Sequence, residues 1–325
     1  MKVVASLAAV LVALALGSCG EDGAEPGASE EATLVLDFQP NAAHAGIYAA
    51  LGEGLYADRG VDLEVREPSA SSDAPKLLEA GRADFAILDI HDLAIARERG
   101  FDVVAIAPIV QRPLAAVIAG DRAAVREPAD LEGGEVGVTG LPSDDAVLES
   151  VLESGGGEPA AVDRITIGFE AVPQLSAGRL EAATAFWNAE GVALRRLGVR
   201  TREFRVDDFG APPYPELVLV TTAATLAQRA DLVERMLAAI GRGQGELAAD
   251  PDGALADLLE AVPELSEGEQ RAQLEALLRA DAIGASIRLD EGVLRRWAEW
   301  DAERGIVKRP PRIDRAFALE LAPGQ

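Results

Sequence analysis

The sequence predicts an α/β protein of two lobes, and three observations carry this. Short apolar runs alternate with longer amphipathic segments, the pattern of strand–helix–strand units on a parallel or mixed sheet. The alternation comes in two series, the second opening at Gly133-Gly134 and closing before Pro212-Pro213-Tyr214-Pro215. One apolar run then returns and a helical tail follows, as expected of a chain that leaves one lobe, builds another and comes back. The length of 325 residues suits this, at about 150 residues per domain.

In the first series a strand over 33–38 precedes a helix over 45–59, 61–65 precedes a helix over 74–80, and 85–88 precedes a helix over 91–99. Gly, Pro or Asp marks each switch. Strands over 103–110 and 114–119 follow. The second series has a strand over 135–139 and a helix over 143–153 with Ser143 as N-cap. It continues with a strand over 164–167, a helix over 172–177, a strand over 182–186 and a helix over 190–197. The return strand is 217–222, and from Ala223 the chain is mostly helical, with breaks at Pro251, Pro263 and Gly284. Gly241, Gly243 and Gly245 lie in that helical region with no preceding strand, which predicts close packing rather than a phosphate loop. No internal repeat occurs at a solenoid period. The expected division is a signal peptide over 1–18, a tether over 19–31, lobe 1 over 32–119 and 217–325, and lobe 2 over 120–216.

Met1 and Lys2 give a short positive start, and 3–16 is an unbroken run of apolar and small residues. As a helix it would measure about 21 Å, short of the ~30 Å hydrocarbon core, so an export signal fits better than a stable span. Leu16-Gly17-Ser18-Cys19 resembles a bacterial lipobox, which implies lipidation at Cys19, the chain's only cysteine, and a membrane contact through that anchor. Residues 20–31 are Gly- and carboxylate-rich and predict a solvated tether.

Apolar residues make up 49% and charged residues 26%, an ordinary globular composition. Thirty basic against 55 acidic side chains leave a formal charge of −25, which opposes nucleic acid and anionic bilayers alike. No Walker A loop, HExxH, CxxC or GxSxG occurs, and His44 and His91 are the two histidines. No spacing favours a metal site or a catalytic triad. The expectation is a binding protein, not an enzyme, with no metal and no cofactor.

Asp37-Phe38-Gln39-Pro40-Asn41-Ala42-Ala43-His44-Ala45-Gly46-Ile47-Tyr48 resembles the opening motif of the NMT1/THI5-like substrate-binding proteins of ABC transporters. Gly54-Leu55-Tyr56 with Gly60-Val61-Asp62-Leu63, and Leu78-Glu79-Ala80-Gly81-Arg82-Ala83-Asp84-Phe85, resemble the family's next two segments. Gln111-Arg112-Pro113-Leu114, Gly140-Leu141-Pro142-Ser143, Trp187-Asn188-Ala189-Glu190-Gly191 and Gly210-Ala211-Pro212-Pro213-Tyr214-Pro215-Glu216 are similar to blocks of its thiamine-precursor branch. The resemblance covers roughly residues 33–305. The chain departs from that branch in having Phe38 where Trp is common and Ala42-Ala43 where Thr-Asn precedes the His. The resemblance implies a type II periplasmic-binding fold: two α/β lobes, crossing strands and a ligand cleft between them.

A cleft that holds a flat heterocycle needs aromatic faces and a few fixed polar groups. Phe38 after a strand, Trp187 after another and Tyr214 in a proline-rigid turn are the candidate faces, with core or hinge packing as their ordinary alternative. Trp297 and Trp300 read as helix packing. Glu190 at a helix start could accept from an exocyclic amine or simply favour the helix dipole. Asn41 and Asn188 offer donor and acceptor together, or cap turns. His44 opens the first helix, as ligand contact or as a satisfied structural histidine, and Asp89 ends a strand, as ligand contact or N-cap. Gln111 and Ser143 join the candidates through the family blocks.

The helix start after Gly140 carries Asp144 and Asp145, which would repel an anion by about 1 kcal/mol per close pair even in bulk water. A neutral or cationic flat heterocycle is therefore expected over sulfonate or nitrate. The resemblance implies an extracytoplasmic lipoprotein that binds a hydroxymethyl- or formylamino-pyrimidine and presents it to ABC permease subunits. Riboflavin or another flat nitrogen heterocycle is the nearest alternative, a signalling receptor that uses the same closure is another, and a THI5-like pyrimidine synthase is the rival of another class. Against the synthase, only Lys76 and Lys308 remain beyond the signal to form a Schiff base with pyridoxal phosphate.

Overall fold

The computed structural model describes residues 29–69, 73–120 and 125–321. The expected signal peptide, the lipidation at Cys19 and most of the tether lie outside the described residues.

Two five-stranded mixed sheets organise the chain. The first has the order β2-β1-β3-β10-β4, from β1 (Glu30–Val35), β2 (Val61–Arg66), β3 (Phe85–Asp89), β4 (Val103–Val110) and β10 (Leu217–Thr222). The second has the order β7-β6-β8-β5-β9, from β5 (Ala115–Gly120), β6 (Glu135–Val138), β7 (Asp163–Thr166), β8 (Ala182–Phe186) and β9 (Thr201–Arg205). Each sheet carries one strand antiparallel to its neighbours, the returning β10 in the first and the entering β5 in the second. The chain crosses between sheets over residues 111–114 and returns over 206–216.

Helices cover the sheets: α1 (Ala45–Gly52), α2 (Asp73–Glu79) and α3 (Ile90–Glu98) in the first lobe, α4 (Pro142–Ser154), α5 (Ala171–Ser176) and α6 (Glu190–Arg196) in the second. After β10 come α7 (Ala223–Gln228), α8 (Ala230–Ala249), α9 (Pro251–Ala261), α10 (Glu267–Arg279), α11 (Glu291–Glu303) and the short α12 (Ile313–Ala316). Strands β4 and β5 are buried along their whole length, which explains their near-continuous apolar sequences. No helix among the described residues is long and apolar enough to cross a membrane.

Several expectations need correction. The strand expected over 114–119 does not belong to lobe 1: β5 pairs with β8 and β9, so the first crossing precedes it. Strand β9 went unread because it is an edge strand with only Phe204 buried. The helix expected over 45–59 stops at Gly52, where the chain turns through Gly54 at φ 68°. Ser143 is not the N-cap of α4. Leu141 holds that place and Pro142 occupies the first helical position, where its missing N–H leaves nothing unsatisfied. The folded body starts at Glu30 rather than Ala32: Glu30 pairs with Val61, and its carboxylate accepts from Arg229 at 2.8 Å and from Arg235.

Candidate binding site

A cavity of about 120 Å³ lies between the lobes. Its walls are strand ends: Asp37 and Phe38 after β1, Asp89 closing β3, Thr139 after β6, Gly168 and Phe169 after β7, Phe186 and Asn188 at and after β8. All of these strands run parallel within their sheets, so their carboxyl ends face the crevice, where open α/β sheets bind ligands.

Of the residues expected at the site, Phe38, Asn41, Asp89, Ser143, Asn188 and Glu190 line this cavity. Phe38 meets Phe169 of the other lobe edge-on, with ring centroids 4.8 Å apart. Asn41 serves locally as well, its Oδ1 accepting from the Ala43 N–H at 2.9 Å. Asp89 caps α3, accepting from the His91 N–H at 2.7 Å. Glu190 Oε2 accepts from the Phe186 N–H at 3.0 Å. Asn188 is buried on the wall with Oδ1 unpartnered, an acceptor that asks for a donor.

Four expected residues do not reach the wall. Trp187 is 1% exposed; its Nε1 donates to the Pro113 carbonyl at 3.1 Å, and the Arg205 guanidinium lies 4.0 Å over its ring. Phe186, its neighbour on the alternating strand, takes the cavity face. Tyr214 is buried behind the cavity, edge-on to His91 at 4.9 Å. Gln111 ties the first crossing to the tail, its Nε2 donating to the Ser286 carbonyl at 2.5 Å and its N–H to Ala282 at 2.7 Å. His44 is fully buried beneath the wall. Its Nδ1 accepts from the Asn41 N–H at 3.2 Å, so Nε2 carries a proton and donates to Asp37 at 2.8 Å. His44 therefore aims a carboxylate that does line the cavity.

Asp37, Asp92, Asp144, Thr184, Phe169 and Phe186 complete the walls and were not singled out as ligand contacts from sequence. Five acidic side chains face the cavity, and its lining includes no Lys or Arg. Burial raises the Asp92 carboxyl well above its ordinary value, with the charge of Asp89 adding to it. Burial likewise raises Glu190, helped by Asp144 and Asp37. Asp144 is raised by burial against the opposing hydrogen bonds from Thr139, whose N–H lies 2.6 Å from Oδ2. A carboxyl poised in this way accepts from an amine when ionised and donates to a ring nitrogen when protonated. Asp145, by contrast, points outward to Arg164 at 3.3 Å.

Behind the floor, Glu216 is fully buried where the chain re-enters lobe 1, and its Oε2 accepts from the N–H groups of Leu114 and, at 3.2 Å, Ala115. It thus staples one crossing to the other. It was missed in the sequence because a carboxylate between Pro215 and an apolar strand carries no periodic signal.

Residues 41–254 match the family described as NMT1/THI5 like. The chain belongs to the NMT1/THI5-like family. Among curated relatives, a formylaminopyrimidine-binding protein of Halalkalibacterium halodurans is 30% identical over 261 residues, 80% of this chain and 79% of the relative. A 4-amino-5-hydroxymethyl-2-methylpyrimidine phosphate synthase of Legionella pneumophila is 24% identical over 236 residues, 72% of this chain and 74% of the synthase. Among solved structures, the alkanesulfonate-binding protein SsuA from Xanthomonas axonopodis pv. citri, bound to MOPS, matches with a TM-score of 0.71 at 15% identity, over 89% of this chain and 98% of that one. This NMT1/THI5-like chain therefore has the type II periplasmic-binding fold.

Proposed function

We infer that the chain is an extracytoplasmic solute-binding lipoprotein of an ABC importer, which captures a thiamine-precursor pyrimidine of the hydroxymethyl or formylamino type and presents it, lobes closed, to permease subunits. The observation that carries this reading is the interlobe cavity itself, with phenylalanine walls, five acidic side chains and no basic one. An aminopyrimidine offers an exocyclic N–H₂ beside a ring nitrogen, a donor–acceptor edge that suits carboxyls and the unpartnered Asn188 oxygen. The kinship with a formylaminopyrimidine-binding protein supports the same ligand class. A sulfonate or nitrate would meet only like charge there.

Kinship with a pyrimidine phosphate synthase supports the enzyme reading at the level of family alone. Neither Lys76 nor Lys308 lines the cavity, so a Schiff base with pyridoxal phosphate has no amine there.

Thermal unfolding with aminopyrimidines, riboflavin, taurine and nitrate tests the reading. Aminopyrimidines at 100-fold over their dissociation constant should add about 2.7 kcal/mol. Stabilisation by taurine or nitrate alone would overturn it.

A further inference from the structure

At the cavity floor three side chains from two stretches of the chain converge. Asp89 closes β3, His91 lies in the first turn of α3, and Glu216 precedes β10; one ligating atom of each lies within 4.8 Å of the others. His91 is 1% exposed and Glu216 is not exposed at all, yet Nε2 of the first has no hydrogen-bond partner, and beyond its Oε2 bonds the second meets the carboxyl of Asp89. Buried polar atoms are rarely left so, because their lost hydration goes unreplaced.

The remaining atoms of these groups are engaged. Nδ1 of His91 lies 2.7 Å from Oδ1 of Asp301, and Trp297 Nε1 approaches the same nitrogen at 3.2 Å, so Nε2 is the one left to bind. A carboxylate that fixes one ring nitrogen while the other is presented is the arrangement found around metal-bound histidines. Glu216 is anchored through Oε2 by the Leu114 and Ala115 N–H groups, and Asp89 by the His91 N–H. The donors are thus held in place by the fold.

We propose that Asp89, His91 and Glu216 bind one divalent first-row transition-metal ion, of the zinc type, at the floor of the cavity. One imidazole and two carboxylates suit such an ion better than calcium or magnesium, which favour all-oxygen shells, or a thiolate-seeking metal. Two carboxylates match its charge, and no Lys or Arg lines the cavity above to compete with it. Asp89 lines the cavity, which provides the entry path. Three protein ligands leave a position for water or for a donor atom of a molecule in the cavity. Sequence spacing could not reveal the trio, because Glu216 joins the other two only through the return crossing.

The test uses the full chain, stripped with a chelator and titrated with Co²⁺ by visible ligand-field absorption and calorimetry, followed by Zn²⁺ competition. One Co²⁺ per chain should bind and be displaced by Zn²⁺. Asp301→Asn should weaken uptake about 10- to 100-fold, as loss of a partner behind a ligating histidine does. Asp89→Asn, which keeps a capping acceptor for α3 and so the fold, should weaken it too. Absence of uptake would overturn the proposal, leaving a proton as the cluster's only cation. Uptake of unchanged affinity and stoichiometry in both variants would equally overturn it, as an adventitious ion on an acidic surface. Neither outcome depends on which organic molecule the cavity holds.

Discussion

Phe186 and Trp187 are neighbours at the end of β8, and one faces the cavity while the other is sealed against Pro113 and Arg205. Neighbouring side chains on a strand point to opposite faces, so an offset of one residue moves an aromatic from ligand to core. The sequence reading singled out Trp187 at this strand end, whereas the structure turns Phe186 to the cavity. Trp187→Ala should consequently cost about 3–5 kcal/mol of stability, as truncation of a buried Trp does, measurable by urea unfolding. A variant of wild-type stability with weakened ligand binding would refute that placement. Glu190 carries a second prediction. Its carboxyl is raised by burial and by Asp144 and Asp37, so the folded chain holds this proton more firmly than the unfolded one. The stability it lends is fully present below the ordinary Glu value of ~4.3 and is lost as pH rises through the raised value. Glu190→Gln should show a flatter fall in unfolding free energy from about pH 4 upward. An identical pH profile for the two proteins would contradict the burial argument.

Helix α8 shows how far an element can be read and where reading stops. Its glycines signalled close packing, and at Gly243 a Cβ would stand 2.1 Å from the Gly46 carbonyl oxygen and 2.7 Å from Ala50 Cβ on α1. Gly245, two residues along the same helix, faces open space, so the same residue type serves no common purpose there. Gly243→Ala should destabilise by about 1–3 kcal/mol or more through overpacking, whereas Gly245→Ala should stabilise by up to about 1 kcal/mol through helix propensity. Equal effects in thermal unfolding would show that α1 and α8 do not touch there. Elements with strong internal pattern, such as β3, β4, β8 and β10, were legible because burial on both faces forces continuous apolar runs. β9, an edge strand, and the first three residues of β1 were not, because half-exposed stretches with charged side chains resemble loops.

At the scale of the whole molecule, two strand series with a return strand implied two lobes, and the family resemblance implied the cleft between them. The charged floor was less legible. Asp37, Asp92, Asp144 and Glu190 come from four segments, and only the two sheets bring them face to face. Phe38 and Phe169 touch across the crevice, a contact that would break if the lobes moved apart. The proposed function needs a hinge equilibrium, in which ligand contacts and the Phe38–Phe169 contact would both favour closure. Such a pair is worth about 0.5–1.5 kcal/mol beyond its burial, so Phe169→Ala should weaken binding roughly 2- to 10-fold by calorimetry, with little change in the stability of either lobe. Small-angle scattering supplies the independent readout. The ligand-free chain should contract when a saturating aminopyrimidine is added, and Phe169→Ala should need more ligand to reach the same contraction. A scattering profile unmoved by saturating ligand would mean that the lobes do not open and close around it.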